Sequence, residues 1–398
     1  MRVLITTSPG LGHIFPTVGL TWALRTAGHD VLLATAGRAA GDIAAAVNAG
    51  LPVAEIATVE QITAARRELA ASRRREAQRR GITDEEMMRI NVDAARDAVA
   101  VTGGNGWAFA ARIFGPLSAA TLDGLVGVAR AWQPDLVVYE LLQGGGPLVA
   151  ALLGVPAVEH PVGLPRGPQV MWALAESLAG EYARYGVEPP AAVSAALDVS
   201  PPSLAIGPGY GWPMRLLPYN GGGVVDGRLR ATGSGRPRIG VSISSSLAGP
   251  AGIGSLAPIL AVAPEVDAEF VVTLGGLDPA DLGELPGNVT AHTYLPLSIL
   301  LPGCAAFIHH GGAGSTFAAL NAGVPQLVLP YLGDSFINGA AVTRRGCGLI
   351  AESGAPDAGV ISALLTEAKA AAAREVAAEL AALPAPAQLV PRLAELVA

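Results

Sequence analysis

One octet constrains this chain more than any other stretch: residues His309 to Thr316, reading His-His-Gly-Gly-Ala-Gly-Ser-Thr. The apolar run 304–308 precedes it and the helix-like 317–323 comes after. Strand, glycine-rich turn and helix start in that order belong to parallel α/β folds. They aim several backbone N–H groups and the positive end of a helix at one spot, which holds an anion, most often phosphate. Gly312 and Gly314 let the backbone come close, Ser315 and Thr316 add hydroxyl donors, and His310 adds a ring N–H. A glycine-rich turn alone is ordinary α/β architecture. Three glycines, two hydroxyls and a histidine within eight residues point further, to a diphosphate cradle. If His310 faces the cradle, His309 faces away and reads as packing.

The rest of the chain supplies the same kinds of element in series. Residues 2–5 read as a buried strand, 13–25 as an amphipathic helix capped by Ala27 and Gly28, and 30–34 as a second strand. Strand, helix and strand at this spacing make a βαβ unit, and hence a parallel sheet. Further strands are expected at 53–56, 134–139 and 155–158, with helices at 117–132, 148–153 and 171–185. Residues 60–100 carry Arg66, Arg67, Arg73, Arg74, Arg75, Arg79 and Arg80, and read as a solvated helix or loop without catalytic role. After the turn-rich 233–237 a second series begins, with strands at 238–243, 269–274, 289–291 and 326–329 and helices at 254–263 and 368–383.

At 398 residues the chain is too long for one ordinary core. The expected architecture is α/β, two Rossmann-like domains with parallel sheets facing across a cleft. Their expected extents are 1–225, a linker at 226–237, and 238–383, with a C-terminal segment 384–398 packing back towards the first domain. A composition of 51% hydrophobic and 15% charged residues suits two large cores, and a net charge of −7 argues against nucleic acid as the main partner. The two cysteines, Cys304 and Cys347, make neither a disulfide framework nor a zinc pattern, which fits a reducing cytoplasm. No apolar run approaches the roughly 18 residues of a membrane span.

The first half has no cradle of comparable quality. Its turn at 8–13 lacks G-x-G-x-x-G, and no acid closes the second strand to take a ribose, so an NAD enzyme is not expected. What the turn offers is His13, after a strand and on a helix start, where parallel folds place their ligands. An imidazole at a helix start that disfavours the imidazolium suits a general base; a satisfied loop histidine is the plain alternative. Glu140, at the end of another strand, is placed to hold the His13 tautomer as the carboxylate of a triad does, or else to cap a helix. Trp107, Phe109, Phe114, Met171 and Trp172 are candidates for an apolar acceptor pocket or for plain core.

These residues resemble those of a family: the inverting GT-B glycosyltransferases that use nucleotide sugars on small natural products. Segments 294–297, 300–302, 307–316, 322–326, Pro330 and 334–338 resemble its donor-binding signature, and 8–13, 15–16, 27–31 and 134–138 its acceptor domain. Tyr139 with Glu140, 201–204 and 217–222 resemble actinobacterial antibiotic transferases of the calicheamicin type. The resemblance implies that His310 contacts the diphosphate and that Gly312, Gly314, Ser315 and Thr316 cradle it. It implies that the Leu295 backbone reads the base and that Tyr294 stacks on it where a Trp is common. Ser242 and Ser245 are similar to the hydroxyl residues of the turn opening the second domain, with Ser244 in place of a glycine. Asp334 is similar to the acid that binds sugar hydroxyls. Ser335 stands where many members carry Gln, which leans towards a deoxysugar donor.

For the first half, the resemblance implies His13 as base and Glu140 as its partner; of the apolar candidates, Trp107, Phe109 and Trp172 are the expected acceptor contacts. The implied reaction moves a sugar from a dTDP- or UDP-sugar to a hydroxyl of a small hydrophobic aglycone in antibiotic biosynthesis. It proceeds with inversion and without cofactor or metal; the sequence has no Asp-x-Asp motif and no carboxylate cluster with magnesium spacing. A C-glycosyltransferase on an aromatic aglycone and a non-catalytic auxiliary of a glycosylation complex remain as alternatives. Homodimerisation and a helper protein are left open.

Overall fold

The computed structural model describes residues 1–37, 39–83, 86–87, 90, 106–165, 167–224, 235–242, 254–330, 334–351 and 355–398. Ser245, the turn around Ser244 and most of the expected linker lie outside these residues, as does the Trp107 side chain. The chain divides into two compact units. Unit 1 comprises 1–199, 206–219 and 383–398, and unit 2 comprises 200–205 and 220–382.

Unit 1 is built on a seven-stranded sheet, in the order β3-β2-β1-β4-β5-β6-β7. The strands are β1 (Arg2–Thr6), β2 (Asp30–Thr35), β3 (Val53–Glu55), β4 (Leu136–Glu140), β5 (Ala157–His160), β6 (Ala195–Asp198) and β7 (Trp212–Pro213). Every pairing is parallel. Runs such as Val3–Ile5 and Leu136–Val138 are fully buried because helices cover both faces of a parallel sheet. The helical run after β1 is not one helix: Leu11–Ile14 passes through a 3-10 turn at Phe15–Thr17 into Val18–Thr26. Pro16, which has no N–H to donate, lies in that break.

The arginine-rich stretch is a helix, Val59–Arg80, opened by a Thr58–Gln61 capping box and closed by Gly81 in the left-handed region. Its ion pairs, Arg75 with Glu68 and Arg80 with Glu76, are partly or wholly exposed and add little stability. The next helix, Gly106–Trp132, packs on β4 and on the helix Gln169–Ser177. β6 and β7 escape sequence reading because they are short and lack β-branched runs.

Unit 2 carries a six-stranded sheet, in the order β10-β9-β8-β11-β12-β13. Its strands are β8 (Arg238–Ser242), β9 (Glu269–Thr273), β10 (Val289–His292), β11 (Ala306–His309), β12 (Gln326–Val328) and β13 (Gly348–Ile350), again all parallel. Ile239, Phe270, Ile308 and Leu327 form the middle of one core face; Phe307, Leu300 and Ala319 belong to the other. Its longest helices include Ala313–Ala322, Ser335–Arg345 and Glu367–Ala382. Segment 200–205 is held within unit 2 by Ser203, whose N–H donates to Glu379 and whose hydroxyl accepts from Arg345. The last helix, Pro386–Ala394, packs on Val18–Thr26 in unit 1.

In each sheet the strand order reverses between two central neighbours, β1 and β4 in unit 1 and β8 and β11 in unit 2. Connections leave in opposite directions there, so the loops part and leave a crevice at the strands' carboxyl ends. Both groups of candidate residues fall at these two places.

Candidate active site

In unit 1 the turn after β1 runs from Thr7 to Gly10, whose φ of 114° only glycine adopts readily. It delivers His13 at the third position of the short helix Leu11–Ile14. β4 ends in Glu140, which is fully buried. One carboxylate oxygen accepts the Leu142 N–H at 2.9 Å and the other accepts the Ser8 N–H at 3.2 Å. The second oxygen also lies 3.3 Å from His13 Nδ1. That is ion-pair distance without formed hydrogen-bond geometry, and no other polar atom partners this buried nitrogen. The imidazole is 14% exposed and its ring meets the edge of Phe114 at 5.2 Å. Nδ1 thus faces an internal carboxylate and Nε2 is the nitrogen left for chemistry, the layout of an oriented base.

Several supporting residues carry no functional mark in the sequence. Gln143, fully buried, donates to the Thr7 carbonyl and to Thr121 Oγ1, and accepts the Gly145 N–H, tying the two loops of the crevice together. Phe114 packs with Leu141, Leu142, Val170 and Leu174, so an apolar wall adjoins the His13–Glu140 pair. Beside Glu140 on β5 lies His160, whose Nδ1 contacts the Pro161 carbonyl at 2.8 Å and which burial keeps neutral, down at about 4. Tyr139 donates to Glu159 at 2.9 Å. Of the expected acceptor contacts, Phe109 is partly buried beneath Arg112, and half-exposed Trp172 donates its indole N–H to the Ala191 carbonyl. Met171 is core.

In unit 2 the octet succeeds β11, with a turn at His310–Gly312 and a helix from Ala313 to Ala322. Gly311 has a φ of 87°, and a Cβ there would lie 2.6 Å from Val328 and 3.0 Å from Ser335. At Gly312 a Cβ would meet the His310 ring at 2.4 Å. Gly311 therefore requires glycine, whereas a side chain at Gly312 would displace the His310 ring. Burial holds the His310 imidazole at about 4, so it is a neutral donor, and its buried Nδ1 has no partner within the protein. Gly314 and Ser315, second and third in the helix, have N–H groups that the helix itself cannot satisfy.

Other octet residues differ from expectation. The Thr316 hydroxyl is fully buried and turns back to the carbonyls of Gly312 and Gly311, at 3.0 and 3.3 Å, so it braces the turn instead of facing an anion. His309 is more than packing. It accepts the Gly311 N–H at Nδ1, 3.0 Å away, and its Nε2 lies 2.9 Å from Gln326 Oε1.

Asp334 Oδ2 accepts the Ala313 N–H at 3.1 Å and an Asn338 amide hydrogen at 3.0 Å. Asn338 also donates to the Gly311 carbonyl at 2.8 Å. Ser335 is 2% exposed and packs against Gly311, which removes its side chain from any surface a sugar would meet. Ser242 ends β8, in register with His309 on one side and Thr273 on the other. The Leu295 N–H is taken by Thr273 Oγ1 at 2.8 Å. Tyr294 is 50% exposed, with its hydroxyl on the Asn220 carbonyl. Among the described residues no group of three or more His, Cys, Asp or Glu side chains is arranged to hold a metal ion, and no helix is long and apolar enough to cross a membrane.

Comparison with known proteins agrees with both units. Residues 22–244 match the N-terminal domain model of erythromycin biosynthesis protein CIII-like proteins, and 257–396 match the C-terminal one. The chain is 39% identical to the elloramycin glycosyltransferase ElmGT of Streptomyces olivaceus, over 99% of this chain and 97% of that one. The crystal structure of the glycosyltransferase SnogD from Streptomyces nogalater is 38% identical, covers 100% of this chain and 99% of its own, and superposes with a TM-score of 0.77. The spinosyn rhamnosyltransferase SpnG, complexed with thymidine diphosphate, is 26% identical with a TM-score of 0.78, covering 99% of this chain and 100% of its own. These GT-B structures share the two parallel-sheet α/β units of this chain. The chain belongs to the erythromycin biosynthesis protein CIII-like family, and it is a glycosyltransferase.

Proposed function

We propose that the protein transfers a sugar, a deoxysugar, from a dTDP- or UDP-sugar to a hydroxyl of a small hydrophobic natural-product aglycone, with inversion. The observation that carries the reading is the pair of switch points. One holds a histidine backed by a buried carboxylate, and the other a helix start with open N–H groups and a neutral histidine. The first suits removal of a proton, the second an oligophosphate leaving group. Thymidine diphosphate bound to SpnG supports a dTDP donor. The deoxysugar rests on Ser335, whose buried side chain offers none of the contacts of the Gln common there, and on the likeness to antibiotic transferases.

In this mechanism the acceptor binds to unit 1 beside Phe114. His13 Nε2 takes its hydroxyl proton while Glu140 steadies the developing imidazolium through Nδ1. The acceptor oxygen bonds to the anomeric carbon as the bond from that carbon to the phosphate oxygen breaks, and the nucleoside diphosphate leaves from the opposite face with the bonding electrons. Its charge is met by the N–H groups of Gly314 and Ser315, the Ser315 hydroxyl and the His310 ring, so no metal is called for. The Leu295 carbonyl and the exposed Tyr294 face serve the base, and Asp334, anchored on Ala313, serves the sugar.

A panel of dTDP- and UDP-sugars with aromatic and macrolide aglycones, read by mass spectrometry, tests the reaction. His13→Ala is expected to lower kcat by roughly 10²–10⁴-fold with dTDP affinity unchanged. An unchanged rate in that variant would refute the assignment of the base and favour the auxiliary reading.

A further inference from the structure

The cradle turn is held from behind by a chain of buried side chains that the reaction does not touch. Gly311 donates to His309 Nδ1, so that nitrogen carries no proton. The proton is then on Nε2, which donates to Gln326 Oε1 at 2.9 Å. The Gln326 amide in turn points its Nε2 at the Thr316 carbonyl, 3.4 Å away. His309 is 1% exposed, Gln326 is fully buried, and the imidazole stacks on Phe307 at 4.8 Å and 18°. Each polar atom of the ring is matched by one group of opposite role, so only one tautomer and one orientation fit. Burial, with His310 adjacent, keeps this ring uncharged.

The consequence lies in what the turn can offer an anion. Of the N–H groups around the octet, that of Gly311 goes to His309 and that of Ala313 to Asp334. Those of Gly312, Gly314 and Ser315 remain, joined by His310. A glycine with φ of 87° has other conformations open to it, so the turn needs an acceptor placed behind it to stay in this one. We propose that His309, backed by Gln326, is the positioning residue of the donor site: it takes the Gly311 N–H inward and thereby selects which N–H groups meet the diphosphate. This role rests on the diphosphate reading of the site.

Three substitutions separate the two bonds. His309→Asn puts an amide oxygen near the place of Nδ1 and keeps the Gly311 acceptor. His309→Gln reaches the place of Nε2 and keeps the Gln326 partner alone. His309→Phe keeps the stack on Phe307 and neither bond. The readouts are dTDP affinity by calorimetry, donor and acceptor KM, kcat, and Tm.

Expected is a dTDP Kd raised about tenfold in the Phe and Gln variants and less than about threefold in the Asn variant, with acceptor KM unchanged. If the Phe variant does not fold, the order of Asn and Gln still decides. Equal dTDP affinity in Asn and Gln, or affinity that simply tracks Tm across the set, overturns the positioning role while leaving the donor site intact. Absence of dTDP and UDP binding in the unsubstituted protein overturns the diphosphate reading itself, and the positioning role with it.

Discussion

Glu159 offers a test whose sign and size come from its surroundings. The side chain stands on β5 beside Tyr139, is 2% exposed, and accepts the Tyr139 hydroxyl at 2.9 Å. Burial pushes its carboxyl from an ordinary 4.5 up to about 7; the Tyr139 hydrogen bond works downwards and the Glu140 charge adds to the rise. Between those values the folded protein binds a proton that the unfolded chain has released. The stabilisation is therefore complete below about pH 4.5 and is lost as pH rises through 7. At about 1.4 kcal/mol per pH unit the loss amounts to about 3 kcal/mol by pH 8.

His160, held near 4 by burial instead of its ordinary 6.5, acts with the opposite sign over nearly the same window. The two slopes offset one another, so the unsubstituted protein alone is uninformative. Glu159→Gln keeps an acceptor for Tyr139, removes the carboxyl titration and leaves His160 in place. Whatever constant offset the amide introduces, the stability of the variant relative to wild type must rise by about 3 kcal/mol from pH 4.5 to pH 8. Scanning calorimetry reads this as a relative gain of about 6–12 °C for a unit of roughly 200 residues. A difference that is the same at both pH values would refute the reasoning.

Two further expectations concern unit 2. Gly311→Ala forces a side chain into a left-handed φ and to within 2.6 Å of Val328, and should cost about 2–4 kcal/mol and weaken dTDP binding. Gly314→Ala, with open space around its Cβ, should leave stability unchanged or slightly raised; urea titration of the pair checks the contrast, and equal losses would refute it. His309 and His310, held by burial at about 3 and about 4 against an ordinary 6.5, give stability that is present above 6.5 and lost as pH falls. Unit 2 should lose about 2 kcal/mol per ring between pH 6.5 and 5, and a flat urea profile over that range would count against the buried neutral pair.

What is legible in the sequence is what is contiguous along it. Strand 306–309, its glycine turn and its helix are neighbours in the chain, so their joint geometry obeys local rules. The His13–Glu140 contact, 127 positions apart, is still readable because both residues lie just beyond or at the ends of strands, and parallel strands end on one side of a sheet. Where a third element decides, local rules do not reach. The octet pattern makes Thr316 a donor to the anion, yet its hydroxyl braces the turn carbonyls. Ser335 aligns with a sugar-contacting position, but packing on Gly311 buries it. A signal for the His309 network does exist: Gln326 opens the buried strand Gln326–Val328, and a buried amide in such a strand must have partners. Gln143 has no comparable mark, since polar residues in loops and helices are common on surfaces.

The two switch points use one architecture for opposite ends. In both, the loops leaving two central strands turn backbone N–H groups into a crevice. In unit 1 those of Ser8 and Leu142 close on Glu140, a carboxylate supplied by the chain itself. The site is thereby filled with its own negative charge, and what it presents outward is the imidazole held against that charge. In unit 2 His309 and Asp334 each claim one N–H, at Gly311 and Ala313, and those of Gly314 and Ser315 are left at the helix start. In the proposed reaction the internal anion suits the first crevice to a base, and its incomplete counterpart suits the second to an external anion. The proposed transfer, in which one substrate gives up a proton and the other releases a diphosphate, calls for one crevice of each kind.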